Sequence, residues 1–320
     1  MKILWLALVM IWMATGLVAA ADPVVTNRNT LIVVIGAGGE EKYAQLFQSW
    51  ANAWEKAATN LDATPIRVGT GSNSKNDLEQ LKRILAEQPK DGSNLLWVVL
   101  IGHGTFDGET AKFNLRGPDL SAAQLADWLR PQNRPTVVIN NSACSGPFID
   151  ELSRPNRIVI TATQNGDEEN FTRFPEYLVA AISDSASDFD KDDRVSLFEA
   201  FVAASANTEE FYAGAGLLAT EHALIDDNGD RRGTALDWFR DADAVKALSH
   251  KAPPDGLFAN QLSLSSSAKF AFSSHLDTNA LNSIARTLKA IPARRDAKSL
   301  QAAAAFEQTY ESLTSTNQNR

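Results

Sequence analysis

One thiol and one imidazole follow two apolar runs of this chain, at positions suited to nucleophilic chemistry. Cys144 is the single cysteine and follows the apolar run 137–139, whereas His103 follows the apolar run 95–101 and lies between two glycines. An imidazole that removes the proton of a neighbouring thiol turns a weak nucleophile into a strong one. Because the C-terminal ends of parallel strands meet at one edge of a sheet, this pattern predicts a cysteine hydrolase with His103 as base and Cys144 as nucleophile.

The reaction also needs donors for the oxyanion and an acid for the leaving amine. The backbone N–H groups of Gly104 and Cys144 are expected to stabilise the oxyanion, and Gly104 has no Cβ that would block a substrate. His103 would protonate the leaving amine after serving as the base. The chain has four histidines, and none of the others matches His103 in position: His222, His250 and His275.

Strand-like and helix-like segments alternate along the 320 residues. Short apolar, β-branched runs predict strands at 31–35, 66–68, 95–101, 137–139 and 157–161. Apolar residues at helical spacing predict helices at 40–58, 75–87, 121–129 and 174–182, with a short helix at 147–152. This alternation predicts an α/β fold in which helices cover both faces of a mostly parallel sheet.

Two segments carry a family resemblance. Val99-Leu-Ile-Gly-His103-Gly104 and Val138-Ile-Asn-Asn-Ser-Ala143-Cys144-Ser145-Gly146 resemble the two catalytic strand ends of the caspase-like cysteine peptidases. Within that group they are most similar to the legumain-like branch, in particular to exported bacterial members. The resemblance covers about residues 30–240. It implies a caspase-like fold, a His103 and Cys144 dyad, and peptide hydrolysis through a thioester acyl-enzyme.

The resemblance also implies a substrate pocket beside the strand that follows Cys144. It places Thr161, Ala162 and Thr163 along the wall that receives the side chain before the cleaved bond, with the acidic residues Asp167, Glu168 and Glu169 just beyond. Two interpretations of the acidic residues remain open. They would select a basic substrate side chain, or they would form a solvated loop, which is the usual fate of charge runs between elements.

The first residues have the pattern of an export signal. Lys2 precedes the apolar stretch 3–18, and the small residues 18–20 offer a cleavage site. The stretch is short for a membrane span, so we expect a signal peptide over 1–20 and a periplasmic or extracellular protein with no stable span after cleavage. We expect a caspase-like peptidase domain at 21–252. From about residue 253 a linker and helices at 278–290 and 296–313 are expected to form a C-terminal helical hairpin.

Composition narrows the possible partners and cofactors. The net charge is −9 and no long basic block is present, which argues against nucleic-acid binding and leaves a protein or peptide as the expected substrate. The glycines after the first strand are followed by Glu41 where a dinucleotide loop needs glycine, and no zinc-peptidase or serine-hydrolase motif occurs. The chemistry itself is therefore expected to require no cofactor.

An acidic segment downstream resembles an EF-hand calcium loop. Its candidate oxygen ligands lie at alternate positions: Asp188, Asp190, Asp192, Arg194, Ser196 and Glu199. The segment departs from the motif at position 6, where Asp193 replaces the usual glycine, and position 7 is an arginine. The alternative is an acidic helix N-terminus favoured by the helix dipole. The sequence predicts a structural Ca²⁺ site here.

A second segment has a weaker form of the same spacing. Its candidate ligands are Asp226, Asn228, Asp230 and Asp237. Ordinary turns stabilised by Asn, Asp and Gly explain this segment equally well.

Two rivals to the peptidase hypothesis remain open. A transpeptidase of the same fold would pass the same acyl group to an amine instead of water. A binding module that has kept the fold without catalysis would have a buried Cys144 and a blocked site.

Overall fold

The computed structural model describes residues 28–71, 76–240, 254–264 and 278–290. The predicted signal peptide, 1–20, and the second helix of the predicted hairpin, 296–313, lie outside these residues. Within the described parts of the chain, no helix is long and apolar enough to cross a membrane.

A seven-stranded sheet forms the centre of the molecule. Its strands are β1 (Asn29–Ile35), β2 (Ala63–Val68), β3 (Leu96–Ile101), β7 (Thr136–Asn140), β8 (Arg157–Thr161), β9 (Leu224–Asp226) and β10 (Thr234–Ala235). Their order across the sheet is β10-β9-β8-β7-β3-β1-β2. The five strands from β8 to β2 in this order are parallel, whereas β9 is antiparallel to β8 and β10 is antiparallel to β9. The predicted mostly parallel sheet is confirmed.

A small antiparallel sheet follows β3 directly. It consists of β4 (Gly104–Phe106), β5 (Ala111–Phe113) and β6 (Leu120–Ser121). These short strands were not predicted, because two or three residues are too few to show a periodic pattern. The described helices are α1 (Glu41–Ala57), α2 (Asp77–Glu87), α3 (Ala122–Leu129), α4 (Phe148–Leu152), α5 (Phe174–Ala181), α6 (Leu197–Gly214), α7 (Leu236–Phe239), α8 (Leu257–Gln261) and α9 (Thr278–Ala290).

Side chains alternate between two hydrophobic cores, one on each face of the sheet. Along β3, Val99 and Ile101 enter the core that α1, α5 and α6 cover, whereas Val98 and Leu100 enter the core that α2, α3 and α4 cover. Every residue of β3 is fully buried, which explains the continuous apolar run. Helices on both faces of the sheet, as predicted, therefore hold the strand ends in place.

The C-terminal segments pack on the same body. Leu257 of α8 and Ile284 of α9 belong to the larger core. The carboxylate of Asp227 accepts hydrogen bonds from the backbone N–H groups of Gly256 (3.1 Å) and Ala259 (2.8 Å), which fastens α8 to the end of β9. α9 coincides with the first helix of the predicted hairpin.

Candidate active site

The turns after β3 and β7 lie side by side at one edge of the sheet. The two strands are parallel, and their register pairs Leu100 with Asn140 near the point where both end. A Cβ atom on Gly104 would lie only 2.1 Å from the carbonyl oxygen of Ala143, so no other residue fits there without a shift. Gly104, which follows His103, therefore packs against Ala143, which precedes Cys144. The structure thus brings the two predicted catalytic residues to the same edge of the sheet.

Aromatic rings hold the imidazole of His103. The ring centroids of Tyr43, Phe47 and Phe171 lie 4.9, 5.1 and 6.1 Å from that of His103, all in edge-to-face geometry. Tyr43 and Phe47 come from α1. The ring is half-buried, and this burial lowers the pKa of His103. At neutral pH the imidazole is therefore mostly uncharged and able to accept a proton.

The thiol of Cys144 has a different environment. The residue is 1% exposed and adopts a left-handed backbone with φ of 54°. Burial, followed by the negative charges of Glu169 and Asp167, raises the pKa of Cys144 to about 11. At neutral pH about one thiol in ten thousand is ionised. Among the described residues, no hydrogen bond joins the His103 ring to this thiol.

The segment 164–169, which we call the cover segment, lies over the turn that carries Cys144. The backbone N–H of Cys144 donates to the carbonyl oxygen of Glu168 at 2.9 Å. This N–H is one of the two predicted oxyanion donors, and Glu168 occupies it in this conformation. In this conformation the cover segment is therefore closed over Cys144.

The predicted pocket wall is not open to solvent. Thr161, Ala162 and Thr163 are 0% exposed, whereas Asp167 is exposed in the cover segment. The hydroxyl of Thr161 donates to the carbonyl of Thr163 at 2.9 Å. The hydroxyl of Thr163 accepts from the backbone N–H of the residue after Cys144 at 2.7 Å and of the next residue at 3.1 Å. Thr163 therefore positions the turn of the nucleophile.

A residue pair that the sequence did not indicate lies next to this turn. The carboxylate of Glu168 contacts Nδ1 of His222 at 2.5 Å and accepts from the backbone N–H of His222 at 3.1 Å. His222 precedes an acidic loop in the sequence. It reaches the catalytic edge because β9 is antiparallel, with Leu224 opposite Thr161 at the end of β8. No local signal in the sequence predicts such a pairing.

The predicted calcium loop brings three of its six candidate ligands together. Carboxylate oxygens of Asp188, Asp190 and Asp192 lie within 4.8 Å of one another. Asp193 has φ of 66°, so it adopts the left-handed turn that this position of a calcium loop requires. One side of the cluster is already paired, because Arg286 lies 3.4 Å from Asp190.

The remaining candidate ligands have other partners. Ser196 is the N-cap of α6 and forms a capping box with Glu199. The carboxylate of Glu199 also accepts from the backbone N–H groups of Phe189 (2.9 Å) and Asp190 (3.1 Å). Burial raises the pKa of Glu199. Arg194 is exposed.

The second acidic loop forms a series of turns. Asp226 accepts from the N–H of Gly229, and the side chains of Asn228 and Asp230 each accept from the N–H two residues ahead. Asp237 pairs with Arg240, which directly follows α7, at 3.1 Å. Among the described residues, no three carboxylates of this loop lie within 4.8 Å of one another.

Comparisons with known proteins give similarities of fold only. No protein-family model and no curated protein sequence matches this chain. Among solved structures, the chain is similar to the Drosophila initiator caspase Dronc, with 16% identity and a TM-score of 0.43 over 65% of this chain and 82% of that one. It is also similar to caspase-1 from Spodoptera frugiperda, with 11% identity and a TM-score of 0.39 over 62% and 86% of the two chains.

Proposed function

We propose that this chain is a caspase-like cysteine endopeptidase that hydrolyses peptide bonds with His103 and Cys144. The observation that carries the proposal is the backbone contact between Gly104 and Ala143, which joins the two turns at one edge of the sheet. One turn supplies an uncharged imidazole and the other supplies a thiol, as covalent catalysis requires.

The proposed reaction begins from two neutral groups. The Cys144 sulfur attacks the carbonyl carbon of the peptide while its proton moves to the His103 imidazole. The C–N bond then breaks, the leaving amine takes that proton, and a thioester remains on the sulfur. Water attacks the thioester and gives a proton to His103, which returns it to the sulfur as the carboxylic acid leaves. No cofactor takes part in these steps.

The oxyanion would be stabilised by the backbone N–H groups of Gly104 and Cys144. The Cys144 N–H would have to exchange its bond to Glu168 for a bond to the oxyanion. The buried thiol favours a second candidate function, a catalytically silent binding module. A transpeptidase would use the same acyl-enzyme and differ only in the final acceptor.

A peptide-library digest tests the proposal and separates these candidates. We expect Cys144→Ala and His103→Ala each to reduce cleavage by at least about 1,000-fold, because each removes one half of the nucleophilic pair. Arg83→Ala, at an exposed position on α2, is the control and should cleave at the wild-type rate. Ligated products in the presence of an added amine would identify a transpeptidase. Cleavage by Cys144→Ala at the wild-type rate would contradict the dyad.

We also propose that the protein is exported and belongs to the legumain-like branch. The support is the apolar stretch 3–18 with small residues at 18–20, and the two segments around His103 and Cys144. Expression with the full N-terminus should give a periplasmic or secreted product that starts near residue 21. A product that keeps residue 1 and stays in the cell would contradict export.

We further propose a structural Ca²⁺ bound by Asp188, Asp190 and Asp192. The support is their convergence within 4.8 Å, which suits a hard cation that prefers oxygen ligands. Glu199 would join only if it released its backbone donors. Ca²⁺ should raise the thermal midpoint of the wild type and leave that of Asp190→Asn unchanged, with the exposed Asp184→Asn as control. A wild-type midpoint that is the same in Ca²⁺ and in chelator would contradict this site.

A further inference from the structure

Glu168 connects the nucleophile to a distant part of the chain. Its carbonyl oxygen accepts the N–H of Cys144 at 2.9 Å, and its carboxylate contacts His222 at 2.5 Å. One residue makes both contacts, so the bond between its carboxylate and His222 restrains the backbone carbonyl that occupies the Cys144 amide. The contact with His222 is therefore mechanically linked to the predicted oxyanion donor.

The cover segment fits closely where it lies. A Cβ on Gly146 would lie 2.3 Å from the backbone of Gln164, and a Cβ on Gly166 would lie 2.4 Å from the ring of Phe106 in β4. Within the segment, the backbone N–H and side-chain amide of Gln164 donate to the Glu168 carboxylate at 2.8 and 3.1 Å. The closed state is thus a packed conformation stabilised at several points.

The Glu168 and His222 contact lies nearer to solvent than the thiol does. The His222 side chain is 43% exposed and that of Glu168 is 10% exposed, whereas Cys144 is 1% exposed. Hydrogen-bonded loops with exposed attachment points open locally at far lower cost than packed cores do. This contact is therefore the accessible point at which the cover segment can be released.

We propose that the contact between Glu168 and His222 is a clasp that keeps the cover segment closed over Cys144, and that a peptide reaches the thiol only after this clasp opens. The proposal rests on the proposed function in taking Cys144 as the nucleophile. His222 and Glu168 then act as positioning residues, because they control Cys144 without contacting the peptide bond.

Thiol labelling tests the clasp directly, because Cys144 is the single cysteine of the chain. The rate of modification by iodoacetamide is measured at about pH 8, below the pKa of Cys144, where each rate is the product of the thiolate fraction and the access to the thiol. We expect His222→Ala to raise this rate at least tenfold, because the cover segment opens more often. Glu168→Ala should do the same.

Two comparisons separate the clasp from other effects. The double variant should label no faster than the faster single variant, because both remove the same contact. Asp167→Asn combined with Glu169→Gln measures the effect of the thiolate fraction, since these charges raise the pKa of Cys144, and should raise the labelling rate less than His222→Ala does. His222→Gln, which keeps a hydrogen-bond donor, should restore part of the wild-type protection. Circular dichroism on each variant confirms that the fold is intact.

A labelling rate in folded His222→Ala and Glu168→Ala equal to that of the wild type would overturn the clasp. A rate that rises additively in the double variant would overturn it as well. The measurement needs no peptide cleavage. Failure of Cys144→Ala to affect hydrolysis would therefore refute the proposed function while leaving the labelling result to decide on the clasp.

Discussion

The side chains of the two candidate catalytic residues are enclosed in different ways. The imidazole of His103 is half-buried among the rings of Tyr43, Phe47 and Phe171. Cys144 is buried under the cover segment, and backbone N–H groups of its turn donate to Glu168 and Thr163. Aromatic packing gives one persistent position, whereas a hydrogen-bonded loop can be exchanged for a substrate that offers equivalent partners. The His103 imidazole therefore keeps one position, whereas access to Cys144 depends on the position of the cover segment.

Burial favours the uncharged form of both candidate catalytic side chains. It lowers the pKa of His103 and raises the pKa of Cys144, so each residue favours its uncharged form. The pair at rest is an imidazole and a thiol rather than an ion pair. In the proposed hydrolysis, proton transfer would therefore accompany the attack on the peptide, and the two turns would have to be aligned at that moment.

Gly104→Ala should disturb the packing between the two turns more than any other change considered. The new Cβ would lie 2.1 Å from the Ala143 carbonyl, so the turns must separate. We expect about a 100-fold loss in kcat/KM, because a displacement near 1 Å has this effect on aligned catalytic groups. Gly214→Ala is the control, since nothing lies within 4 Å of its Cβ. Peptide hydrolysis by Gly104→Ala at the rate of Gly214→Ala would show that the turns act independently.

Thr163→Val tests how far hydrogen bonds stabilise the turn of the nucleophile. Valine has the same shape but cannot accept from the N–H groups of Ser145 and Gly146, which are both buried. Two unsatisfied donors should lower the free energy of unfolding by about 1–3 kcal/mol. Urea denaturation measures the loss. Thr105→Val is the exposed control, and a change of about 0.5 kcal/mol or less is expected there; equal losses in both variants would contradict the role of Thr163.

The smallest effect is expected from Tyr43→Ala, which changes the pKa of His103 and with it the pH dependence of activity. Because burial lowers the pKa of His103, activity should rise with pH through a midpoint below the ordinary imidazole value of 6.5. Removing the Tyr43 ring admits water, which favours the charged imidazole and moves the midpoint upward. Tyr43→Phe keeps the ring and should keep the midpoint. A downward shift in Tyr43→Ala would show that burial is not the cause.

The parts of the fold with strong local patterns could be predicted from the sequence. β8 spans Arg157–Thr161, as its apolar run indicates, because a strand buried on both faces needs continuous apolar residues. α3 begins after Ser121, whose hydroxyl and Gln124 form the capping box that marks a helix start. His103 and Cys144 reach one edge because parallel strands carry them there.

The cover segment and the clasp could not be predicted. They depend on β9, a strand of three residues inside an acidic region, and on its antiparallel direction. Nothing local distinguishes His222 from a surface histidine. The same limit holds for the two acidic loops, since similar spacing gives converging carboxylates after Asp188 and separate turns after Asp226.

The cover segment also affects how readily Cys144 is oxidised. Peroxides oxidise thiolates first to sulfenic acid and then irreversibly to sulfinic and sulfonic acids, unless a second thiol intervenes. Cys144 is the single cysteine, so the chain contains no second thiol that could rescue it by forming a disulfide. A thiol that is 1% exposed and has a pKa near 11 offers oxidants little access and little thiolate. The cover segment thus protects the Cys144 thiol from oxidation for as long as it stays closed.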